Sequence, residues 1–316
     1  MPELRAAVIG AGRLGTLHAR KYAAIPGVTV AHVVDIDRDR AAQVAAEVGA
    51  SPLTDYRELA GAVDLVTVAS PGITHHEIAS AMLSSGIDVL LEKPMATTLA
   101  EARQLADLAS SGGRILQIGH LERFNPAVVR LHSLVKNPRF VECHRLAPFT
   151  ERGTDVDVVL DLMVHDLDVI MSVAPSEVAS LEAVGVAILT DRIDLANARI
   201  RFRSGLIANL VTSRVSARRE RKIRFFQPDA YISVDYEARR IQIYRKSPPS
   251  PGSNFPTISA EQIDLAESDP LADEVRSFVD AVRTRATPAV SADDGLRVME
   301  LSERIKEVML TEAAAS

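Results

Sequence analysis

A G-x-G-x-x-G turn, formed by Gly10, Gly12 and Gly15 in GAGRLG, follows the apolar run Ala6-Ala7-Val8-Ile9, and an acidic residue, Asp35, stands twenty positions after the last glycine. Between a strand and a helix this pattern outlines a dinucleotide site. The first glycine permits a tight turn, the second lets backbone N–H groups approach a pyrophosphate, and the third lets helix and strand pack closely. The setting is present: Arg5 to Ile9 reads as a strand, Leu14 to Ile25 as a helix with one apolar side, and Val28 to Val34 as a second strand that ends at Asp35. The expected cofactor contacts here are Gly10, Gly12, Arg13, Leu14, Gly15 and Asp35. A carboxylate at Asp35 accepts both ribose hydroxyls and repels a 2′-phosphate, which favours NAD over NADP. Arg38 and Arg40 keep NADP open, because a nearby arginine can accommodate that phosphate; both also read as solvated helix residues.

From residue 1 to about 122 apolar strands alternate with helical stretches, the pattern of a parallel α/β sheet. The further strands read there are Leu65 to Val68, Val89 to Leu91 and Ile115 to Ile118. After Phe124-Asn125-Pro126 the pattern changes to a helix and then to strands of alternating polarity. Phe140 to Leu146, Asn197 to Arg203, Leu206 to Thr212, Lys222 to Phe226 and Tyr231 to Tyr236 predict an antiparallel sheet, with Ser204-Gly205 as a hairpin turn. The division expected is therefore 1–122 and 123–316, the second part being α+β. Ser247 to Pro256, rich in Pro, Ser and Gly, predicts an exposed loop. Pro270 to Arg285 and Ala292 to Thr311 predict two helices that dock on the body, the second capped by Ser291.

With 316 residues, 47% of them hydrophobic, the chain can bury the cores of two domains. A net charge of -6 argues against a general nucleic-acid binder, and no apolar run is long enough to cross a bilayer. The first strand starts almost at the initiator, leaving no room for a signal peptide; with a single cysteine, Cys143, this predicts a cytoplasmic protein. Cys143 and His144 are strand neighbours and point to opposite faces, so they do not share a metal, and Cys143 reads as a packed thiol.

Three short segments carry ionisable or turn-forming groups. Ala69-Ser70-Pro71-Gly72-Ile73-Thr74-His75 and Glu92-Lys93-Pro94 both follow parallel strands, at the end where ligands of such sheets gather. Lys93 there can hold its ammonium against a hydroxyl and stabilise the alkoxide that forms as hydride leaves carbon; a solvated Glu-Lys pair fits the spacing equally. The following proline fixes the lysine backbone as extended or leads into a cis bond. The third segment, Asp161-Leu162-Met163-Val164-His165, lies on a helix expected from Val158 to Val173, with Leu160, Met163, Val164, Leu167, Ile170 and Met171 as its apolar stripe. Asp161 and His165 at i,i+4 can hydrogen-bond, which orients the imidazole to take a proton. The same spacing suits a surface charge pair, and a metal held with Asp168 lacks any other ligand cluster; no metal is expected.

At these residues the chain resembles the Gfo/Idh/MocA oxidoreductases. The resemblance runs nearly end to end, through the glycine turn, Pro71 to His75, Glu92-Lys93-Pro94, Arg123-Phe124-Asn125-Pro126, Asp161 to His165 with Asp168, Pro270-Leu271 and Asp294-Gly295-Leu296. It implies an N-terminal Rossmann domain, a C-terminal α+β domain with a largely antiparallel open sheet, and NAD(P)-dependent oxidation or reduction of a sugar-like hydroxyl. By the family pattern Lys93 and His165 are catalytic, Asp161 assists, and Lys93, Arg123, Asp161 and His165 meet the substrate. Ser70, Pro71, His75, Glu92 and Lys93 join the cofactor contacts, His75 near the nicotinamide ribose. Gly72 replaces the usual asparagine and Met163 a frequent glycine. The resemblance also implies a homodimer or homotetramer built on the open sheet.

Asp157 to Asp166 and Phe226 to Ser233 further resemble a subgroup acting on nucleotide sugars, which implies oxidation of the 3-hydroxyl of a substrate such as UDP-N-acetylglucosamine, upstream of amination for lipid A. Arg214, Arg218, Arg219, Arg221, Lys222 and Arg224 form a basic segment able to meet a diphosphate, or a solvated or subunit-facing stretch. A free sugar or polyol such as inositol is the alternative substrate. A non-catalytic NAD-binding regulator is the alternative of another class.

Overall fold

The computed structural model describes residues 3–150, 156–252 and 254–315. The first part runs β1 (Leu4–Ile9), α1 (Arg13–Ala23), β2 (Val28–Val34), α2 (Arg38–Val48), β3 (Ser51–Leu53), β4 (Leu65–Val68), α3 (His75–Ser84), β5 (Asp88–Glu92), α4 (Leu99–Ser111) and β6 (Leu116–Gly119). Its strands make one six-stranded sheet ordered β3-β2-β1-β4-β5-β6, with every pairing parallel. Every residue of β4, β5 and β6 is buried, so these strands are mostly apolar and show no alternation of polar and apolar faces. The strand order reverses between β1 and β4, and the glycine turn leaves β1 at that switch point. β3 escapes a sequence reading because three residues that include a proline are too short to show a period.

The second part runs α5 (Pro126–Leu134), β7 (Phe140–Leu146), a π-helical turn at Val159–Met163, α6 (Val164–Val173), β8 (Val178–Val186), β9 (Leu195–Phe202), β10 (Ile207–Ser213), β11 (Glu220–Gln227), β12 (Ala230–Asp235), β13 (Arg240–Pro249) and β14 (Pro256–Asp264). Its eight strands lie in the order β14-β13-β12-β11-β7-β10-β9-β8. The β7–β10 pair is parallel and the other pairings are antiparallel. In β9, Ala198, Ile200 and Phe202 are buried while Arg199 and Arg201 are exposed, the alternation of a sheet with one open face. Gly205, at φ 86°, turns the chain between β9 and β10 as its Ser204-Gly205 motif requires.

Two expectations need correction. The stretch from Ser247 to Pro256 is mostly not loop: β13 and β14 pair as far out as Pro249 with Pro256, and only the tip between them, with Ser253 outside the described residues, turns. Nearly all of β14 is exposed, so a backbone ladder forms there without any hydrophobic period to announce it. The helix expected from Val158 to Val173 is wound as the wider π turn over its first residues, which propensity does not encode.

α7 (Pro270–Thr284) and α8 (Ala292–Ala315) complete the chain. Contacts divide it into two compact units, 1–124 with 269–300, and 125–268 with 301–316. This differs from a single cut after residue 122. Val275, Phe278, Val279 and Val282 of α7 pack in one apolar cluster with Ala6, Val8, Ala19 and Tyr22 of β1 and α1, so α7 finishes the core of the first unit. An amphipathic stripe reveals that a helix buries a face, but not against what. Ser291 caps α8 reciprocally, its Oγ accepting from the Asp294 N–H at 3.2 Å while its own N–H donates to Asp294 Oδ2 at 2.9 Å. A Cβ on Gly295 would stand 2.7 Å from Ile118, which accounts for the glycine in Asp294-Gly295-Leu296.

Candidate active site

In the first unit the glycine turn has the shape a pyrophosphate needs. Gly10 has φ 97°, and a Cβ on it would lie 2.7 Å from the backbone of Ala69 and Ser70; a Cβ on Gly15 would lie 1.7 Å from the Gly10 carbonyl oxygen. Those two positions are closed by the protein itself. Gly12 differs: a Cβ there would meet nothing within 4 Å. It is also the N-cap of α1, without a side-chain hydrogen bond to the helix N–H groups and without an acidic residue in the first turn. Arg13 and Leu14 thus begin a helix whose positive end is open to an anion, and the residues present fit a bound dinucleotide.

Asp35 ends β2 beside this turn. It accepts the Ala11 N–H at 2.7 Å on one oxygen and the Asp37 N–H at 2.9 Å on the other, which fixes the carboxylate and leaves lone pairs for a diol. Arg40 lies 3.7 Å from Asp35 and 3.2 Å from Asp37, held among carboxylates rather than offered to a phosphate; Arg38 is exposed. Two residues next to these strand ends carry no motif that marks them in the sequence. Ile36 is 95% exposed and Ile73 79%, apolar side chains left bare after β2 and β4. Such exposure at a nucleotide-binding edge suits a flat apolar base.

The strand-end motifs after β4 and β5 are tied together. His75 is buried, with Nδ1 2.7 Å from the Pro94 carbonyl oxygen and Nε2 3.0 Å from that of Ser70. Burial holds its pKa below the ordinary imidazole value. Ser70 Oγ is 2.7 Å from Thr74 Oγ1, and Pro71 is exposed. A Cβ on Gly72 stands 3.3 Å from the Pro94 ring, so a glycine in place of the family's asparagine eases the close approach of the two motifs. The Lys93–Pro94 peptide is cis, the second of the two backbone outcomes expected. Lys93 is half-buried. Glu92, expected among the cofactor contacts, has Oε1 2.9 Å from His18 Nε2, and its Oε2 accepts from the Lys93 N–H at 3.3 Å. Arg123 lies 3.6 Å from Asp294 of α8.

In the second unit Asp161 sits in the π-helical turn and His165 in the first turn of α6, both half-buried. Leu160, Met163, Val164, Leu167 and Ile170 are buried as the apolar stripe predicts, and Asp168 is fully buried. Asp166 forms a buried bidentate pair with Arg145 of β7 at 2.8 and 2.9 Å that fastens α6 to the sheet. Cys143, two residues before Arg145, is buried and burial pushes its thiol pKa up, as a packed thiol requires. The basic segment divides. Arg214 is buried against Asp194 and the carbonyls of Val156 and Ile193; Arg221, Lys222 and Arg224 pair with Glu237, Asp235 and Glu142. Arg218 and Arg219 are exposed.

Residues 4–120 match the oxidoreductase family with an NAD-binding Rossmann fold, Gfo/Idh/MocA, and residues 127–233 match a C-terminal domain of the same family. The chain belongs to the Gfo/Idh/MocA family of NAD-dependent oxidoreductases. It is 37% identical over 308 residues, 97% of each chain, to UDP-N-acetylglucosamine 3-dehydrogenase of Acidithiobacillus ferrooxidans. A solved structure of that protein superposes with a TM-score of 0.90 at 36% identity, covering 98% of both chains. Inositol 2-dehydrogenase 3 of Saccharopolyspora erythraea is 31% identical across 57% of this chain and 56% of its own, and myo-inositol 2-dehydrogenase of Thermotoga maritima is 25% identical across 96% of each.

Proposed function

We propose that the protein oxidises the 3-hydroxyl of a UDP-linked N-acetylhexosamine, of the kind UDP-N-acetylglucosamine represents, to a ketone at the expense of NAD. The observation that carries this reading is the extent of the likeness. The nucleotide-sugar dehydrogenase is 37% identical across 97% of the chain, whereas the inositol enzyme of Saccharopolyspora aligns with 57% and that of Thermotoga, across 96%, is 25% identical. Exposed Arg218 and Arg219 suit a diphosphate.

NAD, when bound, supplies the hydride acceptor. His165, oriented by Asp161, takes the hydroxyl proton, and the Lys93 ammonium stabilises the oxygen as negative charge develops on it. Asp161 and Arg123 hold the sugar. Gly10, Gly12, Arg13, Leu14 and Gly15 seat the pyrophosphate; Asp35 takes the adenosine ribose; Ser70, Pro71 and His75 shape the nicotinamide end. In function the reading keeps the division expected at residue 122, with the cofactor half before it and the sugar-selecting half after it. A 3-keto sugar is a substrate an aminotransferase can take, and the reading puts this step before amination to a 3-amino sugar for lipid A.

The protein works in the cytoplasm as a homodimer or homotetramer. No helix among the described residues is long and apolar enough to cross a membrane. The aromatic ladder Phe140, Phe226, Tyr231 and Tyr244, with successive ring centroids 5.6, 4.9 and 5.7 Å apart, supports a subunit contact on the large sheet. The Thermotoga likeness across 96% of the chain keeps a free polyol as the second reading. NADH formation measured over UDP-sugars, free hexoses and inositols decides between them. Preference for UDP-N-acetylglucosamine is expected; preference for inositol overturns the nucleotide-sugar reading, and tight NAD binding with no turnover of any sugar makes the protein a regulator.

A further inference from the structure

Behind Lys93, inside the first unit, lies a group of ionisable side chains that hydride transfer does not use. His18 of α1, Glu92 of β5 and Glu274 of α7 are all buried, and one ligand-type atom from each lies within 4.8 Å of the others. His18 Nε2 and Glu92 Oε1 pair at 2.9 Å, while His18 Nδ1 is without a hydrogen-bond partner. Glu274 is different: it is 0% exposed, and neither of its carboxyl oxygens has a hydrogen-bond partner. The side-chain oxygen of Gln117 on β6 is likewise without a donor, while its Nε2 donates to the Glu274 main-chain carbonyl at 3.2 Å.

An ionised carboxylate in this position would be buried next to another carboxylate with nothing donating to it, at a cost of several kcal/mol. One proton removes that cost. It turns Glu274 into a donor, the one kind of group the cluster is short of, with a Glu92 carboxylate oxygen within 4.8 Å as the acceptor. The groups that face Glu274 agree: His18 and Tyr22 from α1, Glu92 from β5 and Gln117 from β6 include no lysine or arginine. Burial first, and the Glu92 charge second, raise the Glu274 pKa well above the ordinary carboxyl value.

We propose that Glu274 is a positioning residue held as the un-ionised acid, which together with His18 fixes the Glu92 carboxylate and so the main chain of Lys93. The link to Lys93 is the hydrogen bond from its N–H to Glu92 Oε2. Gly119 provides the space on the remaining side, since a Cβ there would come within 2.9 Å of that same oxygen. Glu92 is thus cradled by α1, α7 and β6. The inference rests on Lys93 serving the dehydrogenation, whereas the protonation of Glu274 does not.

The test has two arms on the full-length protein. In carbon-13 NMR of protein labelled at the glutamate carboxyl carbon, one resonance present in the wild type and absent from Glu274→Gln should keep the shift of a protonated acid between about pH 5 and pH 8. Glutamate carboxyls that are all ionised at neutral pH would overturn the proposal. In steady-state kinetics with saturating NAD, Glu274→Gln should retain the wild-type kcat, and Glu274→Leu should lower it about ten-fold with an unchanged Kd for NAD. A Glu274→Leu enzyme at the wild-type kcat would overturn the positioning role. So would one equivalent of divalent metal in the purified protein that is lost in Glu274→Gln, because an ion would then do what the proton is assigned. The NMR arm needs no substrate, so failure of the sugar assignment leaves it intact.

Discussion

The two sheets handle chemistry in opposite ways. In the six-stranded sheet the central strands are buried throughout, and polar side chains collect where β2, β4 and β5 end: Asp35, Ser70, Glu92 and Lys93. The eight-stranded sheet alternates buried and exposed residues along its strands, and its candidate groups, Asp161 and His165, are carried by the helical segment instead. A covered sheet can present groups only at its edge of strand termini, where turn chemistry sets their direction. A half-open sheet has a face to spare, and evolution there can change sugar-selecting helices and loops without touching the strand core.

The largest effect that would break this comparison is at Lys93. Lys93→Ala should reduce turnover by about a thousand-fold and leave the NAD affinity within a few-fold, read by steady-state kinetics and NAD titration. Near-normal turnover would mean that the strand end after β5 is not where charge is stabilised. Next is the fastening of α6. Asp166→Asn strips the charge from a buried bidentate pair and leaves Arg145 uncompensated, so urea unfolding should show a loss of about 3 kcal/mol. An unchanged midpoint would mean that α6 is held by its apolar stripe alone.

Gly12 and Gly15 sharpen the comparison within one turn. Gly15→Ala drives a Cβ into the Gly10 carbonyl and should destabilise the protein whether or not NAD is present, whereas Gly12→Ala meets open space and should leave the apo melting temperature unchanged. What Gly12→Ala should lose is NAD affinity, by about ten-fold, because the added methyl occupies the approach of the pyrophosphate. Equal melting temperatures for the two variants would contradict the geometry of the turn.

Legibility followed the same division. The strands β1, β2, β4, β5 and β6 could be placed from the sequence because burial on both faces leaves apolar runs between turn signals, and Asp35 because register after a glycine turn is fixed. β8 and β14 at the two edges, and β13 beside β14, could not, since strands with many exposed residues gain their stability from ladder hydrogen bonds that any side chain permits. The inward turn of Glu92 was equally hidden: its partners His18 and Glu274 are remote in sequence and meet it only after α1 and α7 have docked. Motif reading finds the residue that chemistry needs, and tertiary packing decides which way it faces.

Asp35 offers a smaller change. With Arg40 3.7 Å away, Asp35→Ser removes the carboxylate that repels a 2′-phosphate and releases the guanidinium that it holds, so the ratio of kcat/KM for NADP to that for NAD should rise about ten-fold. A ratio that stays put would show that Asp37, 3.2 Å from the same guanidinium, is enough to keep Arg40 occupied.

The smallest effect belongs to the basic segment of the second unit. Arg214, Arg221, Lys222 and Arg224 are engaged by carboxylates, so a diphosphate would have to break an existing pair to recruit any of them. Arg218 and Arg219 are exposed, and a contact made there stays in water and is worth on the order of 1 kcal/mol. Replacing both with Ala should therefore raise the KM for a UDP-sugar a few-fold and leave kcat alone, since uniform binding is lost without loss of transition-state contacts. The increase should shrink as salt is added, because exposed charges are screened. A KM that does not respond at low salt would move diphosphate recognition away from this loop.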